Sequence, residues 1–188
     1  IANSNGAQAQ LLAPNVGGAG FSPDGSKIAY VSIVDNNQRE IWVTDRDGSN
    51  KRQMVSLGRP NPKSFGIGQM QWVNDQVLAF QYDRRVQLLD VSAGQQRQLG
   101  NWTVDTGRSF VVLPYGQQLA LIYGNTLSLV NADGTGYARI TDKVTSGEFQ
   151  WSLDGNWLAY VTGSQHEELW VVDRTGGNAR QIATTPYI

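Results

Sequence analysis

Phe21-Ser-Pro-Asp-Gly-Ser-Lys-Ile-Ala-Tyr30 returns later in the chain as Trp151-Ser-Leu-Asp-Gly-Asn-Trp-Leu-Ala-Tyr160. An apolar strand ends, a turn reverses the chain, and a second strand begins with a small residue between large ones. Weaker copies centre on Leu78-Ala79-Phe80 and Leu119-Ala120-Leu121, so equivalent positions recur about every 40–50 residues. A fixed period of this size marks a repeat array, in which each unit is first a packing module.

The first full unit divides into four short strands, A to D. Strand A ends at Phe21 and Ser22-Pro23-Asp24-Gly25 turns the chain. Pro suits the second position of a type I turn and Gly accepts the left-handed conformation that closes it. Strand B is Ile28 to Val31 and strand C is Ile41 to Thr44. A second Gly-bearing turn, Asp45 to Asn50, leads to strand D at about Arg52 to Val55. That turn returns at Asp90 to Gly94, Asn131 to Gly134 and Asp173 to Gly177. The recurring Ala faces the side of its strand opposite to its large neighbours, where a small residue lets the next unit approach closely.

No segment carries a capped apolar period of 3.6, and β-branched and aromatic residues dominate the apolar runs. The expected fold is all-β: a β-propeller of four-stranded antiparallel blades, four full blades plus a partial one. The expected blades are 14–56, 57–99, 100–141 and 142–183, with 1–13 a partial blade, all in one array. Ile1 to Gly6 aligns with Val43 to Gly48, which puts strand D of the partial blade near Gln10 to Ala13. Closure is then expected to need more blades or a second copy, with self-association through open blade edges. A Greek-key sandwich is the other architecture, and it has less need of such regular turns.

The Phe21–Tyr30 string, followed by Ile41-Trp-Val-Thr-Asp-Arg-Asp-Gly-Ser-Asn50, resembles the repeat of TolB-like β-propellers. The match spans nearly the whole chain and is closest in the first and last full units. Unit two has Trp72-Val-Asn-Asp-Gln76 at the turn, and unit three has Val112-Leu-Pro-Tyr-Gly116. The resemblance implies a ring of six or more blades in bacterial proteins, periplasmic or otherwise extracytoplasmic, used for protein contacts. Similar repeats occur in LpqB-type lipoproteins and in the access-limiting propeller of prolyl-oligopeptidase-type serine peptidases. The latter is the alternative function.

Composition excludes several chemistries. The formal net charge is −1 and no basic cluster is present, so there is no footprint for nucleic acid. No apolar run approaches the ~20 residues of a membrane span. There is no Cys, and His166 is the single His. A zinc site of His and Cys ligands is therefore not expected, nor is any other cofactor. No Gly-x-Ser-x-Gly elbow accompanies His166, and no catalytic residue is assigned. Asp45-Arg-Asp-Gly-Ser-Asn50 lacks the third oxygen ligand and late Glu of a calcium loop. Ser152-Leu-Asp-Gly-Asn-Trp157 resembles a sialidase Asp-box, but Gly follows Asp one residue too early. Asn101-Trp-Thr103 is a glycosylation sequon that matters only in a suitable host.

Direction along the meander locates the recognition surface. The A-to-B and C-to-D turns lie on one face and are stereotyped; the D-to-A and B-to-C connections lie on the other and are irregular. The longest irregular loop is Leu57 to Gly68. Loops on a rigid scaffold carry recognition, and Arg, Trp and Phe are common interface anchors. The expected partner-binding residues are Arg59, Lys63, Phe65, Arg84, Arg85, Trp102, Asp105, His166 and Glu167, with Asn36, Arg39 and Lys143 on the same face. The expected function is non-enzymatic protein binding.

Overall fold

A computed structural model describes residues 11–34, 38–58, 66–104, 109–114, 116–163 and 167–185. The described residues form strands and turns, without a helix, and no helix is long and apolar enough to cross a membrane.

The strands are β1 (Val16–Phe21), β2 (Lys27–Ile33), β3 (Gln38–Asp45), β4 (Arg52–Gly58), β5 (Ile67–Trp72), β6 (Val77–Tyr82), β7 (Arg85–Asp90) and β8 (Gln95–Gln98). The second half holds β9 (Phe110–Val112), β10 (Gln118–Tyr123), β11 (Thr126–Asn131), β12 (Ala138–Thr141), β13 (Val144–Trp151), β14 (Trp157–Thr162), β15 (Glu167–Asp173) and β16 (Arg180–Thr185). They make four sheets of four strands, each in chain order: β1 to β4, β5 to β8, β9 to β12 and β13 to β16. Every pairing with a recorded register is antiparallel.

Turn chemistry explains these reversals. Ser22 O accepts from Gly25 N at 2.8 Å, and Ser152 O accepts from Gly155 N at 2.9 Å. In the C-to-D turns, Gly48, Gly94, Gly134 and Gly176 donate to Asp45, Asp90, Asn131 and Asp173 at 2.8–2.9 Å. These glycines have φ between 68° and 92°, which side-chain-bearing residues rarely adopt. The second sheet replaces Pro-Asp-Gly with an Asn-based turn, in which Asn74 Oδ1 accepts from the amides of Gln76 and Val77.

The chain divides into two compact units, 1–83 with 87–97 and 84–86 with 98–188. In the first, a core draws Ala29, Val31, Ile41 and Val43 from one sheet and Trp72, Leu78, Phe80 and Leu89 from the next. In the second, Ala120, Ile122, Leu127 and Leu129 share a core with Phe149, Trp151, Leu158 and Tyr160. Both units follow one rule: the Ala-bearing face of a sheet packs on the large-residue face of its successor. The side-chain period of two assigns Ala29 and Val31 to one face and Ile28 and Tyr30 to the other. First strands also meet within each unit, β1 with β5 and β9 with β13.

Two expectations change. Leu57 and Gly58 pair with Arg39 and Gln38, while buried Ile67 pairs with Tyr82. Strand pairing thus shortens the expected long loop at both ends. Leu11–Ala13 form no strand; the rest of the expected partial blade lies outside the described residues.

Candidate functional site

The second unit carries a cleft of about 280 Å3 lined by Asn101, Trp102, Thr103, Leu121, Tyr123, Thr126, Ser128 and Tyr137. Its floor comes from sheet register. Leu121 pairs with Ser128 and Tyr123 with Thr126 across β10 and β11, so all four point to one face of the third sheet. That face is opposite the one bearing Ala120 and Ile122. Its wall is the D-to-A connection after Leu99, and Tyr137 closes another side from the start of β12. The cleft thus opens near the irregular end of the sheet, beside the B-to-C turn at Gly124.

Trp102 is held by two neighbours. Its ring stacks on Tyr137 with centroids 5.0 Å apart and planes 6° from parallel. A Cβ on Gly100 would stand 2.1 Å from Trp102 Cζ3 and 2.4 Å from Cε3. Gly100 also has a φ of 57° and its carbonyl accepts from Gln98 Nε2 at 2.5 Å. Only glycine meets both demands, the turn and the ring. Tyr137 OH lies 3.0 Å from Ser128 Oγ, which ties the stacked pair to the floor.

Arg84 and Arg85 flank this cleft. Val104 N donates to Arg84 O at 2.9 Å, so the hairpin tip is laced to the D-to-A connection. The Arg84 guanidinium lies 5.5 Å from the centroid of the Tyr123 ring, within cation–π range. Arg85 Nη1 donates to Asn101 O at 2.6 Å. Among the described lining residues there is no carboxylate, imidazole or amine. The described residues offer aromatic walls, neutral hydrogen-bonding groups and cations at the margin.

Three of the expected residues, Arg84, Arg85 and Trp102, come together here. Glu167 opens β15 and is exposed, and it is not among the lining residues. Arg59, Lys63, Phe65, Asp105 and His166 lie outside the described residues, as does Asn36. Tyr123 and Tyr137, 50% and 45% exposed, were not singled out by the sequence reading. The signal for Tyr123 was available: a large aromatic flanking a Gly-Asn hairpin on the irregular face. Tyr137 follows a stereotyped turn, and nothing local marks it.

On the stereotyped face, turn aspartates accept hydrogen bonds from within their own turns. Asp24 Oδ1 accepts from Ser22 Oγ, Ser26 N and Ser26 Oγ at 2.6–3.0 Å, which holds its carboxyl well below the usual range. Bonds from Thr175 and Asn178 are the leading causes that bring Asp173 from 3.8 down to about 2. Asp47 is lowered in the same way by Ser49, Asp90 by Ser92 and Ala93, and Asp154 by Ser152 and Asn156. The calcium-like string is of this kind. Asp47 accepts from Ser49 N and Oγ, and Asp45 from Asn50 Nδ2 at 2.6 Å. A second cleft, of about 270 Å3 in the first unit, is lined by Phe21, Pro23, Met70 and Trp72 among others. Trp72 Nε1 donates to Gly20 O across it at 3.0 Å, a contact that joins two neighbouring sheets.

No family model and no curated protein matches this chain. Among solved structures it is similar to "The structure of putative TolB from Agrobacterium tumefaciens", with a TM-score of 0.60 and 19% identity. The likeness covers 88% of this chain and 64% of that one. Together with the four consecutive four-stranded sheets, it shows the fold to be an all-β propeller of antiparallel blades like that of the TolB-like protein.

Proposed function

We propose that this chain is a non-enzymatic protein-binding propeller whose partner is held on the irregular face. The observation that carries this reading is the cleft between Trp102, Tyr123 and Tyr137, with Arg84 and Arg85 at its margin. Trp, Tyr and Arg are the residues that most often dominate binding energy at protein interfaces. The hydrogen bonds at the opposite face are made largely within each turn, which leaves that face a structural part. The blades in this reading are 14–56, 57–99, 100–141 and 142–183, with 1–13 in a further blade. The proposed partner-binding residues also include Arg59, Lys63, Phe65, Asp105, His166 and Glu167. An extracytoplasmic location rests on the resemblance to TolB-like proteins, and association between copies rests on the open-edge argument.

The test is a pull-down from an extract of the source cells, comparing the protein with a Trp102→Ala, Arg85→Ala variant. Loss of a hot-spot pair is expected to cost at least about 2 kcal/mol, which reduces partner recovery roughly thirtyfold at limiting concentration. Full recovery by a folded double variant contradicts the proposal.

A further inference from the structure

The aromatic wall of the second-unit cleft is set before any ligand arrives. Trp102 and Tyr137 stack with centroids 5.0 Å apart and planes 6° from parallel. Gly100 packs against the indole, where a Cβ would stand 2.1 Å from the ring, and Tyr137 OH is tied to Ser128 Oγ at 3.0 Å. Both rings are held in place, so little rotamer freedom is lost when a ligand settles on them. The pair still keeps surface to offer: Tyr137 is 45% exposed and Trp102 is half-buried.

The polar part of the described lining has one character. Asn101, Thr103, Thr126, Ser128 and Tyr137 contribute a side-chain amide and four hydroxyls. Each of these groups both donates and accepts hydrogen bonds, and each is neutral. Among the described residues, the side chains of Asn101, Thr103 and Thr126 bond to no other protein group. Register sets Thr126 beside Tyr123 and Ser128 beside Leu121, so hydroxyls and apolar carbon share the floor. A purely apolar occupant would strip water from these groups and return no bond. A ring with a C–H face and a rim of hydroxyls uses both kinds of surface. Its C–H face lies on the aromatic wall, and its hydroxyls donate to and accept from the amide and hydroxyl groups. The volume, about 280 Å3, lies below the ~300–1,000 Å3 of pockets that enclose a whole drug-sized ligand. It suits one such ring.

We infer that the cleft is a binding site for one neutral pyranose ring, stacked on Trp102 and Tyr137 and hydrogen-bonded by Asn101, Thr103 and Thr126. This goes beyond the protein-binding reading, which a partner without sugar would satisfy equally.

Saturation-transfer difference NMR on the whole chain tests it. The probes are the methyl pyranosides of glucose, galactose, mannose and N-acetylglucosamine, with the acyclic polyol sorbitol as the control. Ring C–H protons of at least one pyranoside are expected to take up saturation, with a dissociation constant of about 1 mM for a ligand of this size. Sorbitol, which has hydroxyls but no fixed C–H face, is expected to take up none. Trp102→Ala is expected to abolish the signal. Thr126→Val keeps the branched shape that suits a strand and loses only the hydroxyl. It is expected to bind about fivefold more weakly and to melt with the parent, which separates lost binding from lost folding. The inference is overturned if no pyranoside binds at about 10 mM, a tenfold excess over the expected constant. It is equally overturned if sorbitol binds as well as the pyranosides, or if Thr126→Val and a folded Trp102→Ala bind them unchanged. Each of those results sinks this inference alone, because partner capture by the Trp102→Ala, Arg85→Ala variant is read without any sugar.

Discussion

Gly100 shows how a single residue shapes the cleft. Its φ of 57° and the 2.1 Å approach of Trp102 to its missing Cβ make two separate demands. Gly100→Ala is expected to lower stability by about 2 kcal/mol or more, since the left-handed conformation alone costs about 1–2 kcal/mol. Tryptophan emission should shift as the ring leaves Tyr137; an unchanged spectrum and melting temperature would show that the contact is dispensable. The turn aspartates set a second expectation. Asp173 falls from 3.8 to about 2, and Asp24, Asp47, Asp90 and Asp154 are lowered too. Their folded values lie below their unfolded ones, so the unfolded state binds protons first as the pH falls. The stability they contribute is complete above the unfolded value of 3.8 and is lost on acidification towards about 2 and below. Urea midpoints should therefore decline between about pH 4 and pH 2; a flat profile would contradict the turn bonds.

Among the elements, the second strands decide how sheets stack. Ala29 and Ala120 are fully buried where they meet the large side chains of the next sheet, whereas Ala159 in the last sheet is half-buried. Overpacking a close-packed contact costs about 1–3 kcal/mol. Ala120→Leu is thus expected to be destabilising by that amount in denaturant titration, and Ala159→Leu by clearly less. Equal losses would mean that the small residue serves its own strand and not its neighbour. This rule was legible in the sequence because the period of two puts Ala opposite to Leu and Tyr without any tertiary information. The turns were legible for the same local reason: Asp and Gly at fixed spacing specify a reversal whatever surrounds them. Strand ends were not. Leu57, Gly58 and Ile67 look like loop residues beside Pro60 and Pro62, and only pairing with β3 and β6 brings them into sheets.

For the whole molecule, the division of labour between the two ends of the sheets is the central claim. The sequence singles out the irregular end by exclusion, and Arg84, Arg85 and Trp102 were visible as anchors on it. Tyr123 and Tyr137 join them through register and a 5.0 Å stacking contact, neither of which a linear pattern contains. Asn101-Trp-Thr103 likewise reads as a sequon in the chain and becomes a cleft wall in the fold. The measurement that tests the claim most directly compares partner capture by two folded variants. One carries Trp102→Ala and Arg85→Ala on the irregular face; the other carries Asp133→Asn and Thr175→Ala on the stereotyped face. The account predicts that the first loses the partner and the second retains it. Retention by the first with loss by the second would contradict it.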